Sequence, residues 1–160
     1  MAIVGAGIVG LAHAFHAAKT GLRVAVFDRN SDAQGASVRN FGMLALSAQA
    51  TGDYLSSARR SLTYWHEIAP QAGFGLHQVG CMFVAREPEE MAVLEEFAHS
   101  PNMALHGSHL VSKEDFGRYC QWLKPDRILG ALFNAETWKV DQRQASLKIA
   151  NWLHRDLSIT

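Results

Sequence analysis

The stretch MAIVGAGIVGLAHAFHAAKTGLRVAVFD, residues 1–28, decides the fold class of this chain. A short apolar run leads into Gly5, Gly7 and Gly10 at the spacing G-x-G-x-x-G, and an alanine-rich helical pattern follows. A second apolar run ends in Asp28, 18 positions after the third glycine. A strand, a glycine turn, a helix, a second strand and an acidic residue in this order are the context of a dinucleotide-binding βαβ unit. The sequence therefore predicts an α/β chain that begins with a Rossmann-like fold.

Each position in this pattern has a physical role. Gly5 permits the tight turn from strand to helix, Gly7 lets the backbone approach a pyrophosphate, and Gly10 keeps the helix close to the sheet. Phosphates bind at the helix N-terminus because unpaired N–H groups and the positive end of the helix dipole converge there. Asp28 is placed to accept hydrogen bonds from a ribose, and its charge disfavours a 2′-phosphate. The predicted contacts from the turn are Gly5, Ala6, Gly7, Ile8, Val9 and Gly10.

Composition and charge narrow the classes of function. Hydrophobic residues make up 48% and charged residues 19%, which is the balance of a globular protein. The 15 basic and 15 acidic residues give a net charge of zero without a basic block, so nucleic-acid binding is not predicted. No apolar run reaches the roughly 18 residues of a membrane span. Because the first strand follows Met1 directly and leaves no room for a signal peptide, we expect a cytoplasmic protein.

The histidines and cysteines do not predict a metal site. His13 and His16 lie three residues apart in the first helical pattern, without a carboxylate or thiolate to complete a ligand set. Cys81 and Cys120 are isolated and lack C-x-x-C spacing, so neither a zinc site nor a disulfide framework is indicated.

A second motif follows the βαβ pattern, at GASVRNFGM, residues 35–43. Together with the Asp-Arg pair at 28–29, it resembles the FAD-dependent amine oxidoreductases of the D-amino-acid oxidase superfamily, which includes glycine oxidase and sarcosine oxidase. The resemblance implies that the small residues lie along the pyrophosphate and ribityl chain, and that the R-N-x-G stretch leads toward the isoalloxazine. Arg39 is then a candidate to neutralise the pyrophosphate and Arg29 to lie over the adenine, with ordinary solvated arginines as the alternative. Met43 either walls the flavin or packs. The FAD contacts implied here are Asp28, Arg29, Ala36, Ser37, Arg39, Asn40, Gly42 and Met43.

The resemblance continues downstream and suggests a domain organisation. Residues 80–85, GCMFVA, resemble a G-x-L-x-x-A strand of the substrate domain, and GALF at 130–133 with Val140-Asp141 resembles the G-A-L-F…V-D-P junction, Gln142 replacing the proline. Both chain ends look cut, so we expect an N-terminal fragment with an incomplete α+β substrate domain. The predicted parts are an FAD-binding Rossmann-like part at 1–73, part of the substrate domain at 74–139, and a return to the FAD-binding domain at 140–160.

The resemblance also implies an activity. It predicts an enzyme that oxidises the C–N bond of a small amine or amino acid by hydride transfer to FAD, with oxygen as electron acceptor. Residues 35–43 most resemble a subgroup linked to aminophosphonate breakdown. No catalytic residue is identified, the anchoring of substrate is expected beyond Thr160, and the fragment alone is expected to be inactive. The oligomeric state is not determined by the sequence.

Two other classes of function stay open. An NAD-dependent dehydrogenase would use the same βαβ unit, but it gives no reason for residues 35–42. A non-catalytic nucleotide-binding fragment is the second alternative.

Local patterns predict the remaining elements. Pro70 is expected to end a long helix, and residues 73–80 and the segment around His106 and His109 are expected to form loops. The other predictions are helices at 10–20, 47–68 and 88–100, strands at 22–27, 81–85 and 128–133, and helices that begin near Ser112 and Asp141.

Overall fold

A computed structural model describes residues 1–31 and 34–160 of the chain. Three short 3₁₀ turns lie at Ala36–Val38, Leu46–Ala48 and Pro125–Arg127. The strands and helices, in chain order, are β1 (Ala2–Val4), α1 (Ile8–Lys19), β2 (Ala25–Phe27), β3 (Met43–Ala45), α2 (Asp53–Ala72), β4 (Leu76–Gln78), β5 (Cys81–Ala85), α3 (Pro88–His99), α4 (Asn102–His106), β6 (Ser108–Ser112), α5 (Phe116–Tyr119), β7 (Gly130–Asn134), β8 (Thr137–Val140) and α6 (Gln142–Asp156).

The predicted βαβ unit is confirmed. Strands β1 and β2 pair in parallel, with Ile3 opposite Val26, and α1 connects them. Alanine-rich sequence favours the helix, which ends at Lys19 and is followed, after Thr20, by Gly21, where φ is +81°. Since a left-handed residue at this position is typical of glycine, the chain leaves α1 toward β2 at the point that the sequence indicates.

A hydrophobic core lies between α1 and the last helix. The side chain of Asp141 accepts a hydrogen bond from the N–H of Arg143 at 3.0 Å and so caps α6, as predicted. Beyond α6, the backbone of Thr160 pairs with β2 through the N–H of Val26 at 2.6 Å. The buried residues that share this core are Ile3, Leu11, Ala14, Phe15, Ala17, Val24, Ile68, Ile149, Trp152, Leu153 and Ile159.

A second sheet has the order β5-β7-β6, and both pairings are antiparallel. The sequence predicts a loop around His106 and His109, and that prediction is wrong, since His106 ends α4 and His109 lies in strand β6. The apolar run of β6 is short and flanked by serines and a histidine, so the local pattern is weak. Pairing along the whole of β7 overrides it. The core on one face of this sheet is formed by Val111, Phe116, Ile128 and Ala131.

The chain divides into two compact units. The first contains Met1–Met43, Leu62–His77 and Lys139–Thr160, and the second contains Leu44–Ser61 and Gln78–Trp138. A third sheet has the order β3-β8-β4. Along the chain, each of its strands contains a boundary between the two units.

One segment of the second unit differs from the predicted organisation, which places residues 44–61 with the nucleotide-binding part. In the second unit the buried hydroxyls of Ser47 and Thr137 form a hydrogen bond of 2.8 Å, and Arg59 pairs with Glu136 at 2.9 Å. These contacts join residues distant in sequence, which local patterns do not reveal. The functional assignment of each predicted domain stays a prediction.

Several predicted element boundaries are corrected by the structure. Pro70 lies inside α2 and does not end it; the helix closes at Gly73, where φ is +77° and the N–H binds the carbonyl oxygen of Ala69 at 2.9 Å. Strand β4 lies inside the predicted loop at 73–80. Strand β2 begins at Ala25, three residues after the predicted start at 22, and α1 begins at Ile8, two residues before the predicted 10.

Candidate nucleotide-binding site

The loop between β1 and α1 is shaped by its glycines. Gly5 has φ of +106°, a left-handed conformation that favours glycine, and its N–H donates to the carbonyl oxygen of Phe27 at 2.7 Å. A Cβ on Gly10 would overlap the carbonyl oxygen of Gly5. Helix and loop therefore approach as closely as the fingerprint predicts. A larger residue at position 10 would force them apart, whereas at position 5 it would strain the backbone.

At the start of α1, a side chain from a distant segment replaces the usual local cap. Gly7 is the N-cap residue and has no side chain to bind the first N–H groups. The hydroxyl oxygen of Ser37 instead accepts from the N–H of Ile8 at 2.9 Å. A Cβ on Gly7 would lie 3.0 Å from this same oxygen. The approach of Ser37 to the helix therefore depends on glycine at position 7.

The carboxylate of Asp28 is held by two backbone groups. Its Oδ2 accepts from the N–H of Ala6 at 2.7 Å, and its Oδ1 accepts from the N–H of Asn30 at 2.9 Å. The N–H of Asn30 foremost, then that of Ala6, lower the pKa of this carboxyl, and the charge of Arg29 adds to the effect. Asp28 is therefore ionised at neutral pH. Since each carboxylate oxygen has two lone pairs, both oxygens retain acceptor capacity after these bonds.

A cavity of about 460 Å³ lies beside these groups in the first unit. The structure brings six of the sequence-predicted residues to its lining. Three further lining residues were not predicted as contacts, although Asn30 and Gln34 belong to the polar stretch after β2 and Gly35 begins the second motif. Such stretches are common in loops, so the sequence alone did not distinguish them. The lining consists of Gly7, Asp28, Arg29, Asn30, Gln34, Gly35, Ala36, Ser37 and Arg39.

The remaining predicted residues of the glycine loop lie behind or beside this lining. The N–H groups of Ala6 and Ile8 are bound by Asp28 and Ser37. Val9 is exposed, whereas the side chain of Ile8 packs against the core of the first unit. Gly5 and Gly10 shape the turn. Direct contacts of these residues with a nucleotide stay predictions.

Three predicted residues of the second motif lie outside the lining. The side-chain amide of Asn40 binds the backbone of its own segment. Gly42 is buried with φ of +68°, and a Cβ there would overlap the carbonyl oxygen of Val140. Met43 is 46% exposed and so is not packed into the core. Its contact with a flavin stays a prediction.

The chemistry of the lining suits a dinucleotide. Ser37 receives a hydrogen bond from Ile8 through its oxygen, so its own O–H is available as a donor. Arg29 and Arg39 supply positive charge and planar donor groups that match phosphate. The ionised Asp28 is suited to accept from sugar hydroxyls, and glycine at position 7 adds no side chain of its own at the helix N-terminus. The cavity is therefore compatible with the adenosine and pyrophosphate parts of FAD.

Within residues 1–31 and 34–160, histidine, cysteine and carboxylate side chains form no cluster of three or more suited to a metal ion. Over the same residues, no helix has the length and apolar character needed to cross a membrane.

Comparison with known proteins gives a consistent result. A family model described as FAD dependent oxidoreductase matches residues 1–156. An uncharacterized oxidoreductase of Bacillus subtilis strain 168, YurR, is 30% identical over 105 residues, which are 61% of this chain and 28% of that protein.

Solved structures resemble the chain over nearly its whole length. L-Proline dehydrogenase from P. horikoshii has a TM-score of 0.84 at 20% identity, covering 99% of this chain and 42% of that one. Glycine oxidase from Geobacillus kaustophilus has a TM-score of 0.84 at 22% identity, covering 99% and 45%. FAD-bound L-α-glycerophosphate oxidase from Mycoplasma pneumoniae has a TM-score of 0.82 at 21% identity, covering 99% and 43%. The chain thus shares their fold and spans less than half of their length.

Proposed function

This chain belongs to the family of FAD-dependent oxidoreductases, and from that premise we propose that the full-length protein oxidises the C–N bond of a small amine or amino acid. FAD is the cofactor of this family. FAD is therefore the dinucleotide expected at the βαβ unit, and not the NAD of the alternative interpretation. The reaction and its substrate are the proposed part.

The observation that carries the proposal is the cavity beside the N-terminus of α1. It combines an ionised carboxylate, a serine hydroxyl and two arginines on a glycine-rich turn. We assign Asp28 to the ribose hydroxyls, and Arg39 with the Ser37 hydroxyl to the pyrophosphate. Arg29 lies next to Asp28 and is assigned to the adenine side. The N–H groups of the glycine loop that are not bound by the Phe27 carbonyl, Asp28 or Ser37 complete the phosphate site.

The protein's own contribution in this part of the chain is binding and orientation. Positive charge from Arg39 partly offsets the negative charge of a pyrophosphate, and the helix N-terminus adds a favourable field. When bound, FAD would supply the acceptor for the hydride, which carries both electrons away from the carbon bearing nitrogen, while the nitrogen loses a proton. The oxidised substrate is an imine, which water hydrolyses, and molecular oxygen as final acceptor would yield hydrogen peroxide.

The choice of a C–N bond rests on more than the fold. Glycine oxidase and L-proline dehydrogenase are named for amino acids, yet the glycerophosphate oxidase with the same fold is named for an alcohol phosphate. Residues 35–43 favour the amine-oxidising branch, and within it they most resemble the subgroup linked to aminophosphonates. We therefore propose small amino acids and aminoalkylphosphonates as the substrate class.

Anaerobic reduction of the bound flavin tests this function. The purified full-length protein is mixed in turn with glycine, L-proline, a small aminoalkylphosphonate and L-α-glycerophosphate, and the flavin absorbance band is followed. Bleaching by an amine, with peroxide released when air is admitted, supports the proposal. Bleaching only by glycerophosphate assigns the protein to C–O oxidation. An FAD-loaded protein that no member of the panel reduces contradicts the proposal and favours a non-catalytic nucleotide-binding role.

We also propose that the 160-residue chain alone does not catalyse this reaction. It spans 45% of the glycine oxidase and 42% of the proline dehydrogenase that it resembles. In the parallel pair of β1 and β2, the facing side chains of Val4 and Phe27 are 90% and 59% exposed. Exposed apolar strand residues favour aggregation. A peroxide-producing preparation of residues 1–160 by themselves would contradict this proposal.

A further inference from the structure

The side-chain amide of Asn40 is held by the backbone of its own segment. Its Nδ2 donates to the carbonyl oxygens of Ala36 at 3.0 Å and Ser37 at 2.9 Å. Its Oδ1 accepts from the N–H of Gly42 at 2.7 Å. Both N–H donors of the amide group are therefore bound to the protein, although the side chain of Asn40 lies at the exposed surface where water could bind it instead.

These three bonds connect Gly42 to Ser37. Gly42 is buried, and its carbonyl oxygen accepts from the N–H of Val140 at 2.9 Å, so its position is fixed. Ser37 belongs to the proposed site, and its hydroxyl binds the N–H of Ile8 at the start of α1. Asn40 lies between them in the chain and binds both sides.

The 3₁₀ turn at Ala36–Val38 needs such support. It spans only three residues, and its own backbone bonds are the N–H of Val38 to Gly35 at 3.3 Å and that of Arg39 to Ala36 at 3.1 Å. Turns this short are only marginally stable by themselves, because few hydrogen bonds offset the conformational entropy that the backbone loses when it is ordered. An asparagine amide that binds backbone carbonyls is a standard way to stabilise a turn.

We propose that Asn40 is a positioning residue, which holds the 3₁₀ turn so that the Ser37 hydroxyl stays at the N-terminus of α1, and that its side chain does not contact FAD. The inference rests on the proposed FAD site. It replaces the direct contact that the family resemblance implies for Asn40. It also implies that Asn40 keeps the site ordered in the cofactor-free protein, which a residue acting only by direct contact with the cofactor would not do.

The test compares two substitutions in the full-length protein. Asn40→Asp keeps an oxygen for the N–H of Gly42 but removes both donors, and the introduced charge faces the carbonyl oxygens of Ala36 and Ser37. Asn40→Ala removes all three bonds without adding charge. The matched control is Asn151→Asp, which makes the same chemical change at an exposed position of α6.

Amide hydrogen exchange of the cofactor-free protein is the decisive measurement. In Asn40→Asp the N–H of Ile8 should exchange about tenfold faster than in the control, since the two hydrogen bonds to Ala36 and Ser37 are lost, while the N–H of Gly42 stays protected. In Asn40→Ala both amides should exchange faster. FAD affinity should fall by about tenfold in both variants and stay unchanged in Asn151→Asp.

Two results would overturn the inference. If both Asn40 variants lose FAD affinity while Ile8 in the cofactor-free protein exchanges as in the control, Asn40 contacts FAD directly. If FAD affinity is unchanged in both variants, Asn40 has no positioning role. A wild-type protein that binds no FAD refutes the proposed function instead, and the exchange rates of Ile8 then still decide whether Asn40 orders the turn.

Discussion

The hydroxyl oxygen of Ser37 accepts a hydrogen bond of 2.9 Å from the backbone N–H of Ile8, across 29 positions of the sequence. This bond joins the two motifs, since Ile8 follows the glycine turn and Ser37 lies in the second motif. It satisfies one of the N–H groups that a helix start leaves unpaired. The two motifs therefore build one site, and the structure explains why both occur in the same chain.

Replacing Ser37 with alanine should weaken FAD binding about tenfold, because the cap of Ile8 and a hydroxyl donor in the cavity are both lost. Equilibrium titration of the cofactor-free full-length protein with FAD measures the effect. Ser56→Ala, an exposed serine of α2, is the control and should bind as the wild type does. Equal affinities for Ser37→Ala and Ser56→Ala would remove Ser37 from the site.

Asp28→Asn should reduce FAD affinity by about tenfold or more, since an amide has one acceptor oxygen where the carboxylate has two. The two backbone N–H groups of Ala6 and Asn30 then compete for that oxygen with the ribose hydroxyls. The Asn151→Asp variant is the control, because it interchanges a carboxamide and a carboxylate at another position of the same unit. Wild-type affinity in Asp28→Asn would mean that the ribose is held by other residues.

Retention of FAD should depend on acid through Asp28. Its pKa is lowered from the ordinary value of 3.8 by the N–H groups of Asn30 and Ala6. A depressed carboxyl pKa stabilises the ordered loop above 3.8, and this contribution is lost as the pH falls through the lowered value. FAD release should therefore be flat above about pH 5 and rise below pH 4, more steeply in wild type than in Asp28→Asn. Parallel release curves for the two proteins would contradict this role.

Ser47→Ala should destabilise the protein by about 1–3 kcal/mol, because it leaves the buried hydroxyl of Thr137 without its partner. The two hydroxyls are 2.8 Å apart, and both residues are buried in the second unit. Denaturant unfolding measures the loss. The double variant Ser47→Ala with Thr137→Val removes both polar groups and should recover part of it. Additive effects of the two substitutions would show that the bond contributes nothing.

Local sequence patterns predicted the elements whose signals are contained within a few residues. The glycine spacing and Asp28 located the βαβ unit, Asp141 located the start of α6, and Pro88 located the start of α3. Each depends on turn chemistry or capping, which operates over one to four residues. For such elements the sequence is sufficient.

Features that depend on distant partners were not predicted. Strand β6 is defined by its pairing with β7, and residues 44–61 join the second unit through Ser47 and Arg59. Pro70 was expected to end α2, but Gly73 sets the end of that helix. In the site, the family resemblance implied FAD contacts for Ser37 and Asn40, which stay predictions, and it did not reveal that their hydrogen bonds run to Ile8 and to the turn itself.

FAD binding by Gly7→Val in the full-length protein tests the central claim most directly. A Cβ at this position would lie 3.0 Å from the Ser37 hydroxyl, and the larger side chain of valine would also cover the start of α1. Gly117→Ala is the control, because it changes an exposed glycine of α5 that has open space around it and lies outside the cavity. We expect Gly7→Val to be purified colourless and to take up no FAD, whereas Gly117→Ala should bind FAD as the wild type does. A yellow Gly7→Val protein with wild-type FAD affinity would contradict the assignment of this site.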